Sequence, residues 1–140
     1  MNNSIDFETT GRLVMLDLWG CDFDTLNDPT YLARHAKTAA EKAGMHVLAI
    51  SMVPFHPQGV SIALVLSESH LTIHTSPEQG YAAIDIFTCG HGKPQVAANH
   101  LLAVLKPGQI FTKGIERGIK SPAGAEERNG TLQPGTVHHA

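Results

Sequence analysis

The chain has 140 residues, with 10 Lys and Arg against 13 Asp and Glu for a net charge of −3, and 42% of it is hydrophobic. That is enough for one core and too little for two independent domains, and an acidic balance with no basic run excludes nucleic acid as the main partner. No apolar run reaches the ~18 residues of a membrane span, and the first ten residues show no basic segment leading into an apolar one, so a cytoplasmic protein with no membrane partner is expected.

Residues 12–19 alternate as a first strand, and Gly20 ends it. Asp28 is placed to cap a helix whose first position suits Pro29, because the missing N–H costs nothing there. Tyr31, Leu32, His35, Ala36, Ala39, Ala40 and Ala43 supply its apolar stripe, and Gly44 stops it. Residues 45–53 read as a second strand, broken by a turn at 54–59 that holds two prolines and a glycine. A third strand follows at 60–67, a short fourth at 71–75, a fifth at 81–87, a second helix at 94–105 and a last strand at 109–115.

This order predicts an α+β two-layer sandwich, a mainly antiparallel β-sheet with two helices on one face. The other face then needs a cover, which a second copy can supply. Residues 1–120 make the single domain. Residues 121–140 are dominated by Gly, Pro, Ser, Thr and charge, and read as a flexible tail.

Chemistry-bearing side chains concentrate at 67–90, where Glu68, Ser69, His70, His74, Glu78 and Cys89 follow one another between apolar segments. Ser69 sits between two extended runs, where a strained turn can be held rigidly. The two cysteines, Cys21 and Cys89, form no CxxC pair, and read alone each is a small buried hydrophobe. Most of the nine histidines fall in helical, loop or tail positions. His70 and His74 share a strand face about 13 Å apart, too far to hold one ion, so no metal is expected.

Spelled out, the stretch resembles the prokaryotic S-adenosylmethionine decarboxylase proenzymes. The residues that carry the likeness are Glu68-Ser69-His70, Ile73-His74-Thr75, Pro77-Glu78, Gly80-Tyr81 and the run from Asp85 to Gly90. It extends upstream to Asp17-Leu18-Trp19-Gly20-Cys21-Asp22 and Gln58-Gly59-Val60-Ser61, and downstream to Glu116-Arg117-Gly118, covering about residues 11–119.

The resemblance implies a pyruvoyl-dependent decarboxylase of polyamine biosynthesis that cuts its own chain between Glu68 and Ser69, leaving a β chain of 1–68 and an α chain of 69–140. The Ser69 hydroxyl would attack the preceding carbonyl to give an ester. Elimination and hydrolysis would then convert residue 69 into the covalent pyruvoyl cofactor, which takes up the substrate amine as a Schiff base. By the same resemblance Ser61 and His74 assist processing, with His74 moving the proton, and Cys89 donates the proton that replaces CO2.

Phe55 and Glu78 match positions that hold the adenine and the ribose hydroxyls, although Phe55 also reads as a core plug and Glu78 as a strand-end cap. Ser76 stands where most relatives have Trp. An acid at Glu78 with Ser76 beside it also suits a homologous decarboxylase of ornithine or arginine, and a non-catalytic regulatory homologue is a third reading. A homodimer of cleaved protomers is implied throughout.

Overall fold

The computed structural model describes residues 9–67 and 69–120. Residues 1–8, Glu68 of the predicted cleavage site and the predicted tail at 121–140 lie outside the described residues.

In chain order the elements are β1 (Gly11–Trp19), α1 (Phe23–Leu26), α2 (Pro29–Lys42), β2 (Val47–Pro54), β3 (Val60–Leu66), β4 (Ser69–Ser76), β5 (Tyr81–Cys89), α3 (Pro94–Leu105) and β6 (Gln109–Arg117), with a 3-10 turn at Pro77–Gln79. The strands form one six-stranded sheet in the order β2-β3-β4-β5-β1-β6. All five pairings are antiparallel.

The predicted helix start is present in detail. Asp28 Oδ1 accepts from the Tyr31 N–H at 3.0 Å, Pro29 opens α2, and the chain leaves the helix through Gly44 at φ 83°, a left-handed conformation that glycine adopts without strain. The short α1 is not anticipated, because four residues are too few to show a helical period. Its start is nonetheless capped, by Asp22 Oδ2 on the Thr25 N–H at 3.0 Å.

Helix α2 lies over β2, β3 and β4, and α3 over β1 and β5, both on the same face. Ala36, Ala39 and Ala40 of α2 and Ala97 and Ala98 of α3 are fully buried, so small side chains let the helices sit close to one another and to the sheet. Alternate strand residues such as Leu16, Leu18, Ile62, Leu64, Leu71, Ile73, Ile84 and Ile86 fill the layer beneath. The two-fold periodicity read from the sequence sends the intervening residues to the opposite face.

Among the described residues, that opposite face carries no helix. Trp19, Val65, Phe111 and Ile115 project from it at 41%, 53%, 62% and 36% exposure, an apolar set that a lone protein keeps small. Strand β4 begins at Ser69, two residues earlier than alternation alone marks, and this places the serine at a strand end. Among the described residues no helix is long and apolar enough to cross a membrane.

Candidate active site

Ser69 is the first residue of β4 and is half-buried. Its hydroxyl donates to the Ser67 carbonyl at 3.3 Å and lies 4.0 Å from Met45 Sδ. The neighbouring strand β5 pairs His70 with Phe87, so Cys89, two residues further along β5, comes to the same end of the sheet as Ser69. A cavity of about 580 Å3 opens there, and Ser69, Cys89, Glu41, Met45, His46 and His91 line it. Its size is that of a small-molecule site.

Cys21 is different. It is buried at 7% exposure, and burial pushes its thiol above the usual range. It acts as a core residue, fixed by its backbone N–H on the Gly80 carbonyl at 3.0 Å.

The other two predicted processing residues meet elsewhere. Ser61 and His74 face each other across β3 and β4 and share a hydrogen bond of 2.7 Å between Oγ and Nδ1. Continuing the register places Ala83, Asp17 and Phe111 in the same row on the uncovered face. His74 is five residues of extended chain from Ser69, roughly 17 Å at ~3.3 Å per residue. Within one protomer, therefore, the hydroxyl to be activated and the imidazole predicted to serve it are at different ends of β4.

The predicted substrate-binding residues cluster at the His74 end. Phe55 follows β2 and is 51% exposed, which removes the core-plug alternative, and its N–H donates to the Gly59 carbonyl at 2.8 Å. Glu78 sits in the 3-10 turn after β4 and accepts from Gln58 Nε2 at 3.1 Å. Ser76, the last residue of β4, pairs with Tyr81.

Beside Ser76 lies a feature that sequence reasoning does not anticipate. The rings of Trp19 and Tyr81 stack with centroids 4.4 Å apart, and the Tyr81 hydroxyl donates to Asp17 Oδ1 at 2.8 Å. Burial first, then that hydrogen bond and the Asp17 charge, and lastly Asp85, push the phenol up to about 12. The sequence signal was the Asp17-Leu18-Trp19 run, whose odd positions share one strand face. Glu41, His46 and His91 were also not singled out for the Ser69 cavity, because α2's end, the approach to β2 and the loop after β5 meet only in three dimensions.

A family model described as S-adenosylmethionine decarboxylase matches residues 12–118. The chain belongs to the S-adenosylmethionine decarboxylase family. Among relatives it is 46% identical over 116 residues to the S-adenosylmethionine decarboxylase proenzyme 2 of Bacillus cereus, covering 82% of this chain and 94% of that one. It is 50% identical over 112 residues to the S-adenosylmethionine decarboxylase proenzyme of Bacillus velezensis, covering 80% and 89%. The crystal structure of the adenosylmethionine decarboxylase from Aquifex aeolicus superposes with a TM-score of 0.76 at 29% identity, over 82% of this chain and 96% of that one. The family and the α+β architecture read from the sequence are thus both as expected.

Proposed function

We propose that this member of the family is a proenzyme that cleaves itself between Glu68 and Ser69 and then decarboxylates S-adenosylmethionine, supplying the aminopropyl donor for spermidine. The observation that carries the reading is the meeting of Ser69 and Cys89 at one cavity, in a chain whose relatives are named as proenzymes of that activity. Residue 69 stands at the junction of a turn and a strand, half-buried at the cavity wall, and this position fits a covalent pyruvoyl group made from its own backbone. Such a group supplies an electron sink for the loss of CO2 from an α-amino acid.

The chain's own residues do the rest. The Ser69 hydroxyl turns from the Ser67 carbonyl to the carbonyl that precedes residue 69 and forms the ester. His74, held by Ser61, takes the proton in elimination; a histidine suits this because it exchanges protons near neutral pH. Cys89 gives the proton that the substrate carbon needs after CO2 leaves. Phe55 stacks on the adenine, Glu78 accepts from the ribose hydroxyls, and Ser76 opens the space that most relatives fill with an indole.

Because Ser61 and His74 lie far from Ser69 along β4, the working site joins two protomers, with the dyad of one serving the serine of the other. Exposed Trp19, Val65 and Phe111 on the helix-free face support a homodimer closed over that face. We place the enzyme in the cytoplasm, where the free thiols of Cys21 and Cys89 stay reduced.

A substrate panel tests the reading. CO2 release measured side by side on S-adenosylmethionine, ornithine and arginine is expected with S-adenosylmethionine alone. Release from ornithine or arginine in its place would overturn the substrate, and release from none of them by the cleaved protein would overturn the enzyme.

A further inference from the structure

Decarboxylation consumes a proton in every turnover. The carbon–carbon bond to the carboxylate breaks, CO2 departs, the electron pair remains on the substrate carbon, and that carbon takes a proton. When Cys89 Sγ–H supplies it, the thiol is left as a thiolate. It cannot donate again until it is recharged.

Two imidazoles stand on the wall of the same cavity, His91 and His46. His91 lies in the turn that leaves β5, closed by the Gly92 N–H on the Cys89 carbonyl at 3.4 Å. Gly90 makes the turn at φ 66°. At Gly92 the backbone passes so close to the core that a Cβ would come within 3.0 Å of Thr88 and 3.3 Å of Met45. The Lys93 N–H, donating to the Ala43 carbonyl at 3.0 Å, fastens the turn to the end of α2.

His46 is fixed in a comparable way, its carbonyl accepting from the Ser67 N–H at 3.1 Å, two residues before Ser69. Both histidines are exposed, as a group that exchanges protons with solvent has to be. Among the described residues the remaining titratable groups on the wall are Cys89 itself and Glu41, whose carboxylate lies 3.9 Å from Lys37 Nζ.

We infer that His91 recharges Cys89, with His46 as a second source across the cavity. The protonated imidazole gives its N–H proton to the thiolate, and the neutral ring takes a replacement from water. This rests on the reading of Cys89 as the proton donor. Histidine is the side chain fitted to the task, because it carries and releases a proton between about pH 5 and 8.

The test uses the full self-processed protein and its His91→Gln, His46→Gln and doubly substituted forms, with Cys89→Ala alongside. All three histidine variants are expected to yield fragments 1–68 and 69–140. At about pH 8 the kcat of His91→Gln falls about 10-fold with KM unchanged, the double variant falls further, and imidazole added to the buffer restores the rate. A kcat–pH profile of the double variant that superimposes on the parent's overturns the inference, as does a loss that imidazole leaves untouched. Poor turnover by Cys89→Ala with unchanged histidine variants removes the relay alone; full turnover by Cys89→Ala removes the donor assignment and the relay together.

Discussion

The Tyr81 phenol shows how one residue's surroundings set its chemistry. A phenol ordinarily titrates near 10; here burial, the hydrogen bond to Asp17 and two carboxylate charges hold it up to about 12. Asp17→Asn removes one of those charges and leaves the burial, so Tyr81 should titrate at lower pH than in the parent while staying above an ordinary tyrosine. Tyrosinate absorbance followed with pH reads this directly, Tyr31 being the only other tyrosine. An unchanged titration would remove Asp17 from the account. At this scale local order drew attention to Ser69 and His74, whereas Ser61 and the role of Cys89 were named only through the family resemblance. The sequence was silent on the Trp19–Tyr81–Asp17 stack and on His46 and His91, whose neighbours come from distant parts of the chain.

Between helices α2 and α3 runs a chain of nitrogen contacts. Lys42 Nζ lies 3.3 Å from His100 Nδ1, and His100 Nε2 lies 3.1 Å from His35 Nδ1. An ammonium can only donate, so His100 Nδ1 accepts, and His100 Nε2–H then donates to His35. Both rings are thereby neutral. Burial lowers the pKa of His35 with help from Arg34, and burial lowers that of His100 with help from Lys42 and His35. Tyr31 packs edge-on against His35 at 4.5 Å and anchors the seam through its hydroxyl on the Val104 carbonyl at 3.0 Å.

The sign of the pH dependence follows from the lowered values. The unfolded chain takes up protons below about pH 6.5 while the folded chain resists them, so this contribution is full above that value and is lost as pH falls through the depressed folded pKa values. The Tm should therefore drop between about pH 7 and 5, and His100→Gln should flatten that drop. Equal slopes for parent and variant would contradict the seam. Most elements were legible from alternation and capping, with α2 the clearest case. The short α1 and the early start of β4 at Ser69 were not, because local hydrogen bonds set them and no period marks them.

In the whole molecule, one face of the sheet is roofed by helices and the other is not, an asymmetry already implied by the polar sides of the two predicted helices. The separation of Ser69 from His74 follows from β4 being extended through the serine, one residue beyond the His70–His74 stretch that the sequence already reads as extended. If His74 serves Ser69 as proposed, the dyad has to come from a second copy, and a complementation experiment can detect this. Co-expressing Ser69→Ala with His74→Ala gives heterodimers in which one site holds both an intact serine and an intact dyad. The His74→Ala chain should then be partly cleaved, and much more than when expressed alone. Equal cleavage in the two cases would show that each protomer processes itself.

The central claim is that the chain breaks itself before residue 69. Intact-mass spectrometry of the freshly purified protein, with Ser69→Ala as control, tests it most directly. The account predicts fragments 1–68 and 69–140 from the parent, the second with a ketone in place of its amino terminus, and a single full-length mass from Ser69→Ala. A parent chain that keeps its full mass on standing would contradict it.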